Sequence, residues 1–208
     1  MKLESAGIII ELKPFAERDS VGRVFTSDFG ILGGIFKAGQ IAKTKPLLGQ
    51  FGRIAWNARL DSHLGSFHFE NEKNLIAGFF SSTEKLGRVN ACFALLSLLL
   101  PEREKYAKLY GETIKMLAMP EMENYLMWEL SLLAELGYGL SLDKCGNCGT
   151  SENLKYISPK TGRTICEKCG APHRNKLFEL PIDLNTTKYF LEQISELPAS
   201  RRRLSPES

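Results

Sequence analysis

Four of the five cysteines fall in two pairs, Cys145-x2-Cys148 and Cys166-x2-Cys169, with seventeen residues between them. Gly149 and Gly170 follow the second cysteine of each pair. Glycine permits the tight turns that aim backbone N–H groups at sulfur. Two such knuckles supply four sulfurs to one tetrahedral zinc ion. Four thiolates close the coordination sphere and leave no position for water, so a single Zn2+ here is expected to be structural. Redox dithiols or disulfides are the alternative, which a cytosolic chain disfavours. Lys144, Lys168, Arg174 and Lys176 flank the cysteines. They would offset the thiolate charge or touch DNA, and the sequence does not separate the two roles. Cys92 lies on an apolar helical face and reads as a core residue.

Catalytic patterns are missing. Gly39-Gln-Ile-Ala-Lys43-Thr44 lacks the second glycine of a phosphate loop. No G-x-S-x-G elbow and no zinc-deaminase pairing occurs. His63, His68 and His173 are isolated, and Glu102, Glu104, Glu121 and Glu123 sit at helix starts, where they favour the helix dipole. A non-catalytic protein is expected.

Cations that follow phosphates and aromatics that stack bases are the alternative chemistry. Lys37, Lys43 and Lys45 share a loop without an acid, and Arg23, Arg53 and Arg59 extend the patch. Arg201-Arg202-Arg203 forms a second basic site leading into a frayed end. A solvated lysine loop and a solubilising tail are the bland readings of the same residues. Phe15, Phe29 and Phe36 could stack bases or pack in a core.

The elements that would position these residues change along the chain. The first seventy residues of the 208 read as five short strands. Gly7–Leu12, the run through Val21, Val24 and Phe25, and Ile31–Phe36 are the first three, with a turn at Asp28-Phe29-Gly30 and a bulge allowed at Gly33-Gly34. Gly52–Leu60 alternates, with Ile54, Trp56, Ala58 and Leu60 on one face and Arg53, Asn57 and Arg59 on the other. Phe67 and Phe69 begin the fifth. Such strands suit an OB-fold barrel. Helical spacing follows, from Leu75 to Leu100, from Tyr106 to Leu117, and through Met122, Leu126, Leu130, Leu133 and Leu136, with Gly137 as a cap. Thr186–Leu197 is a last helix. The expected α+β architecture is an OB-fold over 1–71, a helical domain over 72–143 with 177–208, and a zinc-binding module over 144–176.

Charge follows this division. The total of +3 separates into +4 over residues 1–60, −4 over 61–144 and +3 over 145–208. Basic ends around an acidic middle suit an anionic ligand. No apolar run reaches the ~18 residues of a membrane span, and the N-terminus lacks a signal-peptide core, so a cytosolic protein is expected.

The succession of parts resembles the RecO family of bacterial recombination mediators. The resemblance rests on Gly7-Ile-Ile-Ile, Glu17-Arg18-Asp19-Ser20, Phe25-Thr26-Ser27-Asp28-Phe29-Gly30 and Leu99-Leu100-Pro101-Glu102-Arg103-Glu104. It continues in ELSLLAELGYGLSL from Glu129 to Leu142, followed by Cys145, in Tyr156-Ile157-Ser158-Pro159 with Gly162, and in Tyr189-Phe190-Leu191-Glu192. It implies a nucleoid-associated DNA repair protein that binds single- and double-stranded DNA and anneals complementary strands. It also implies work with RecR to help load RecA on DNA coated with single-stranded-DNA-binding protein. The acidic C-terminal tail of that coat protein is an implied ligand of the helical domain, with Arg88 and Arg103 to meet it. The competing reading is a zinc-ribbon nucleic-acid module of another pathway, in RNA binding or transcription.

Overall fold

The structure is a computed structural model, and it describes residues 1–17, 19–37, 45–58 and 64–205. Lys43 and Arg59, two of the expected DNA contacts, lie outside the described residues, as does most of the expected lysine loop.

Five strands, β1 (Lys2–Phe15), β2 (Asp19–Thr26), β3 (Gly30–Phe36), β4 (Gln50–Asn57) and β5 (Gly65–Asn74), close into a barrel in the order β1-β2-β3-β5-β4. β1 makes closure possible. Its first half pairs with β4 and its second half with β2, and Gly7 and Ile8 belong to both ladders. A short parallel β3–β5 pairing, Gly34 to Gly65 through Phe36 to Phe67, completes the ring. The unbroken Ile8-Ile9-Ile10 run follows from this geometry. Ile9 packs inside the barrel with Val24, Leu32, Ile54, Trp56 and Phe67, while Ile8 and Ile10 face the helical core. A strand buried on both faces carries no alternation. β4 has one solvated face, so Ile54 and Trp56 are buried while Arg53 and Asn57 are exposed.

Gly33 and Gly34 make no bulge, because β2 and β3 pair in unbroken register. The register shifts fall instead between Ile9 and Glu11 of β1 and between Phe51 and Gly52 of β4. β5 runs past the expected boundary at residue 71 to Asn74. The helical spacing around Phe79 yields only a single 3-10 turn, Ala77–Phe79.

Helix α1 (Thr83–Leu99) begins at Ser82, whose side chain accepts from Lys85 N. It is followed by α2 (Ala107–Ala118) and α3 (Met122–Glu135). The phase of α3 differs from the expected Leu126–Leu130 stripe. Tyr125, Trp128, Glu129, Leu132 and Leu133 are the buried set. Aromatic residues occupy the inner face, and the leucine spacing alone pointed one position away from it.

A separate three-stranded sheet, β6 (Leu154–Ile157), β7 (Thr164–Cys166) and β8 (Phe178–Glu179), has the order β7-β6-β8. A helical turn α4 (Glu167–Gly170) and a 3-10 segment Ala171–Lys176 lie between β7 and β8. The expected last helix, Thr186–Leu197, is α5 (Leu184–Glu192), capped by Asp183, and a short α6 (Ala199–Arg202) follows beyond the expected end.

Candidate metal centre and basic surfaces

The first knuckle is built by backbone bonds. Gly149 takes φ +78 and its N–H donates to Cys145 O at 2.9 Å, while Cys145 N donates to Thr150 O at 2.7 Å. A side chain would strain that left-handed residue, so glycine fits the turn. Gly146 N donates to Thr164 O at 2.8 Å and joins this knuckle to β7, which ends on Cys166. Cys169 then sits in α4. Hairpin and turn thereby bring the two pairs together.

The sulfurs of Cys145, Cys148, Cys166 and Cys169 all lie within 4.8 Å of one another. Cys148 Sγ and Cys166 Sγ are 3.7 Å apart, well beyond a disulfide bond. Four sulfurs each about 2.3 Å from one central ion lie roughly 3.8 Å from each other. The cluster therefore has the dimensions of a four-sulfur metal site, and it can hold a metal ion. Burial works against a thiolate at Cys145, but backbone N–H groups of Cys148, Cys166 and Asn147 outweigh it and bring the thiol down to about 6. At Cys148 the backbone N–H of Thr150 pulls down, but the neighbouring Cys145, Cys166 and Cys169 sulfurs and burial together push it up to about 11. Closely packed sulfurs resist carrying several negative charges without a cation among them. Cys92 is apart from the cluster, fully buried, and its thiol is pushed up by burial.

The expected basic residues divide sharply. Lys37 and Lys45 are exposed. Arg53 is exposed beside Glu72 at 3.8 Å. Arg23 is half-buried and already engaged by the protein. Its Nη1 donates to Ser97 O on α1, and its Nε lies 3.7 Å from Glu11 and 3.8 Å from Glu102. It ties the barrel to α1.

Arg201 corrects the expectation of a frayed basic end. It is fully buried, and its guanidinium meets the equally buried Glu129 through Nε and, at 3.0 Å, Nη2. Further bonds reach Leu184 O, Thr187 Oγ1 and Ser205 Oγ. Tyr125 OH donates to Glu129 at 2.7 Å, and Thr187 Oγ1 donates at 2.6 Å. Every oxygen and nitrogen of the pair has a partner and the guanidinium is fully buried, so Arg201 is not presented to a phosphate. Sequence reasoning missed Glu129. Its setting inside the apolar Leu-rich stretch of α3 was the available signal. Arg202 is exposed but bonded to Glu196 and Leu197 O, and Arg203 is exposed.

Arg103 is placed against the barrel. Segment 101–104 lies along β3, with Arg103 N donating to Ile31 O at 2.9 Å and Glu102 bridging to Ile31. Gly30, at φ +64, lets this segment approach, because a Cβ there would come within 1.8 Å of Glu104 O. Arg103 itself takes φ +64 and lays its guanidinium 4.9 Å from the Trp56 ring centroid. It is half-buried there. Arg88 is nearly buried, with Nε donating to Pro120 O at 2.5 Å and Nη2 4.0 Å from Glu121. Its edge still lines a groove of about 720 Å3 with Leu86, Met122, Arg203 and Leu204. Of the three aromatics, Phe36 is buried in the barrel, Phe29 packs against that core, and Phe15 is 47% exposed. No helix among the described residues is long and apolar enough to cross a membrane.

The family described as Recombination protein O C terminal matches residues 81–207. The DNA repair protein RecO of Ruegeria sp. (strain TM1040) is 34% identical over 231 aligned positions, covering 100% of this chain and 95% of the relative. That of Rickettsia bellii (strain OSU 85-389) is 34% identical, covering 87% of this chain and 77% of the relative. That of Roseobacter denitrificans (strain ATCC 33942 / OCh 114) is 35% identical, covering 87% and 78%.

Proposed function

This chain belongs to the RecO family, and from that premise we propose that it is a DNA repair and recombination protein acting as a non-catalytic mediator. The observation that carries the reading is similarity along the whole chain to a protein named for DNA repair. The mediator holds phosphate backbones, anneals complementary strands, and works with RecR to help load RecA on coated single strands.

Contacts to DNA come from Lys37, Lys45 and Arg53 on the barrel, with Lys43 and Arg59, and from Arg202 and Arg203 at the other end. Binding of this kind tolerates sequence, since phosphate contacts carry no base information. Two strands held side by side repel each other less, which favours pairing without ATP. The acidic tail of single-stranded-DNA-binding protein fits the groove beside α1. The edge of Arg88 meets its carboxylates, while Leu86, Met122 and Leu204 supply apolar contact.

The four cysteines hold one zinc ion. Sulfur-only donors at tetrahedral spacing favour zinc, and the closed set makes it structural. Bound there, it would cross-link the two knuckles; Gly149 and the Gly146–Thr164 bond position the sulfurs for it.

Annealing of complementary oligonucleotides without nucleotide tests the function. The proposal expects a clear acceleration over the protein-free rate that falls as salt rises. A rate equal to the protein-free control would contradict it.

A further inference from the structure

The 3-10 segment Ala171–Lys176 carries Pro172, His173, Arg174, Asn175 and Lys176, and all six of its residues are exposed. It follows directly on the second knuckle, where Lys168 is also exposed. Two of the ribbon's other cations are placed differently, while Lys144 and Lys160 are exposed like Lys168. Lys155 is bonded to Glu167 at 2.7 Å. The stem of Arg163 packs on Gly146, where a Cβ would come within 3.0 Å of it. Lys168, Arg174 and Lys176 form no ion pair among the described residues; Glu167, next to Lys168, is already bonded to Lys155, and the exposed Glu179, nearest in sequence to Lys176, forms none either. Glu152 shares a shallow cleft with Lys168 and is the one competing carboxylate there.

Two roles compete for these cations. Offsetting negative sulfur charge needs nearness to the metal site and no particular exposure. Contact with a polyanion needs exposed, unpaired heads on one continuous segment, which is what 171–176 presents. The segment runs between α4 and β8, so its charges stand between two elements and not on a free tail.

We infer that Lys168, Arg174 and Lys176 form a phosphate-contacting surface, making the ribbon a DNA handle separate from the barrel. The inference rests on the reading that the chain binds DNA. The ligand is the nucleic-acid backbone, without base specificity. Each phosphate contact to a single strand contributes about 0.7 to the slope of log affinity against log salt.

The test is binding of the full-length, zinc-loaded protein to a fluorescein-labelled single strand across a salt series. In K168A/R174A/K176A the slope is expected to shrink by about 2, with zinc content unchanged. The single variants Arg174→Ala and Lys176→Ala are each expected to shrink it by about 0.7, which keeps the test intact if the triple variant sheds its metal. The charge-preserving K168R/R174K/K176R is expected to keep the parent slope. Zinc-loaded alanine variants with the parent slope would overturn the inference and leave the mediator reading standing. A parent protein without salt-dependent binding would overturn both. An unchanged slope together with lost binding to an acidic peptide would reassign the surface to a protein partner.

Discussion

Arg201 and Glu129 form a fully buried ion pair between residues 72 apart in the chain. The pair joins α6 to the middle of α3, and Thr187 brings α5 into the same network. A buried charge left alone is costly, whereas a fully bonded pair is tolerated. Tyr125 beside it is pushed well above the usual tyrosine range, by burial first and by the Glu129 charge second, so it stays protonated and donates.

Arg201→Ala is therefore expected to lower the unfolding free energy by about 3–5 kcal/mol. Urea denaturation followed by circular dichroism reads it. The double variant with Glu129→Ala should lose much less than the sum of the singles. A near-zero loss would return Arg201 to the surface.

Arg103 over Trp56 gives a second expectation. Arg103→Ala should cost about 0.5–2 kcal/mol, the range of a partly desolvated cation–π contact. It should also shift the emission of Trp56. The chain has two tryptophans, and a Trp128→Phe background isolates the signal. An unchanged spectrum would contradict the contact.

Removing a sulfur tests the metal centre. Cys148→Ser should release the metal and open the ribbon, read as metal content by mass spectrometry and as protease sensitivity near residue 150. Full metal retention would contradict the four-sulfur site.

The pH dependence has a definite sign. The Cys145 thiol is depressed to about 6 in the folded chain, below the ordinary thiol value of about 8.5. Its contribution is complete above the ordinary value and is lost as pH falls through about 6. Metal binding needs the same thiolates, so release should occur on acidification and not on raising the pH. A chromophoric chelator followed from about pH 8 to about pH 5 reads this. Release that grows with pH would contradict it.

Arg23 and Lys45 separate structural from DNA-contacting cations. Arg23 is held by Ser97, Glu11 and Glu102, so Arg23→Ala should lower stability and leave the salt slope of DNA binding unchanged. Lys37→Ala with Lys45→Ala should do the reverse, shrinking the single-strand slope by about 1.4.

Local patterns survived the passage from sequence to structure. The cysteine spacing, the alternation of β4 and the Gly30 turn each depend on neighbours within a few residues. Pairings across the fold did not show. Arg201 read as part of a basic end because nothing local marks Glu129 as its partner. Arg103 and Arg23 read as free cations for the same reason. Ile8–Ile10 gave a strand but not its two buried faces, and the first half of the α3 stripe was misphased because Tyr125 and Trp128, not Leu126 and Leu130, are the buried residues there.

The mediator reading turns most directly on annealing of strands coated with single-stranded-DNA-binding protein. Adding this chain to complementary coated strands should raise the annealing rate well above the protein-free rate. Deleting the coat protein's acidic tail should remove most of that gain, while naked strands still anneal faster. No acceleration on coated strands, with or without the tail, would contradict the account.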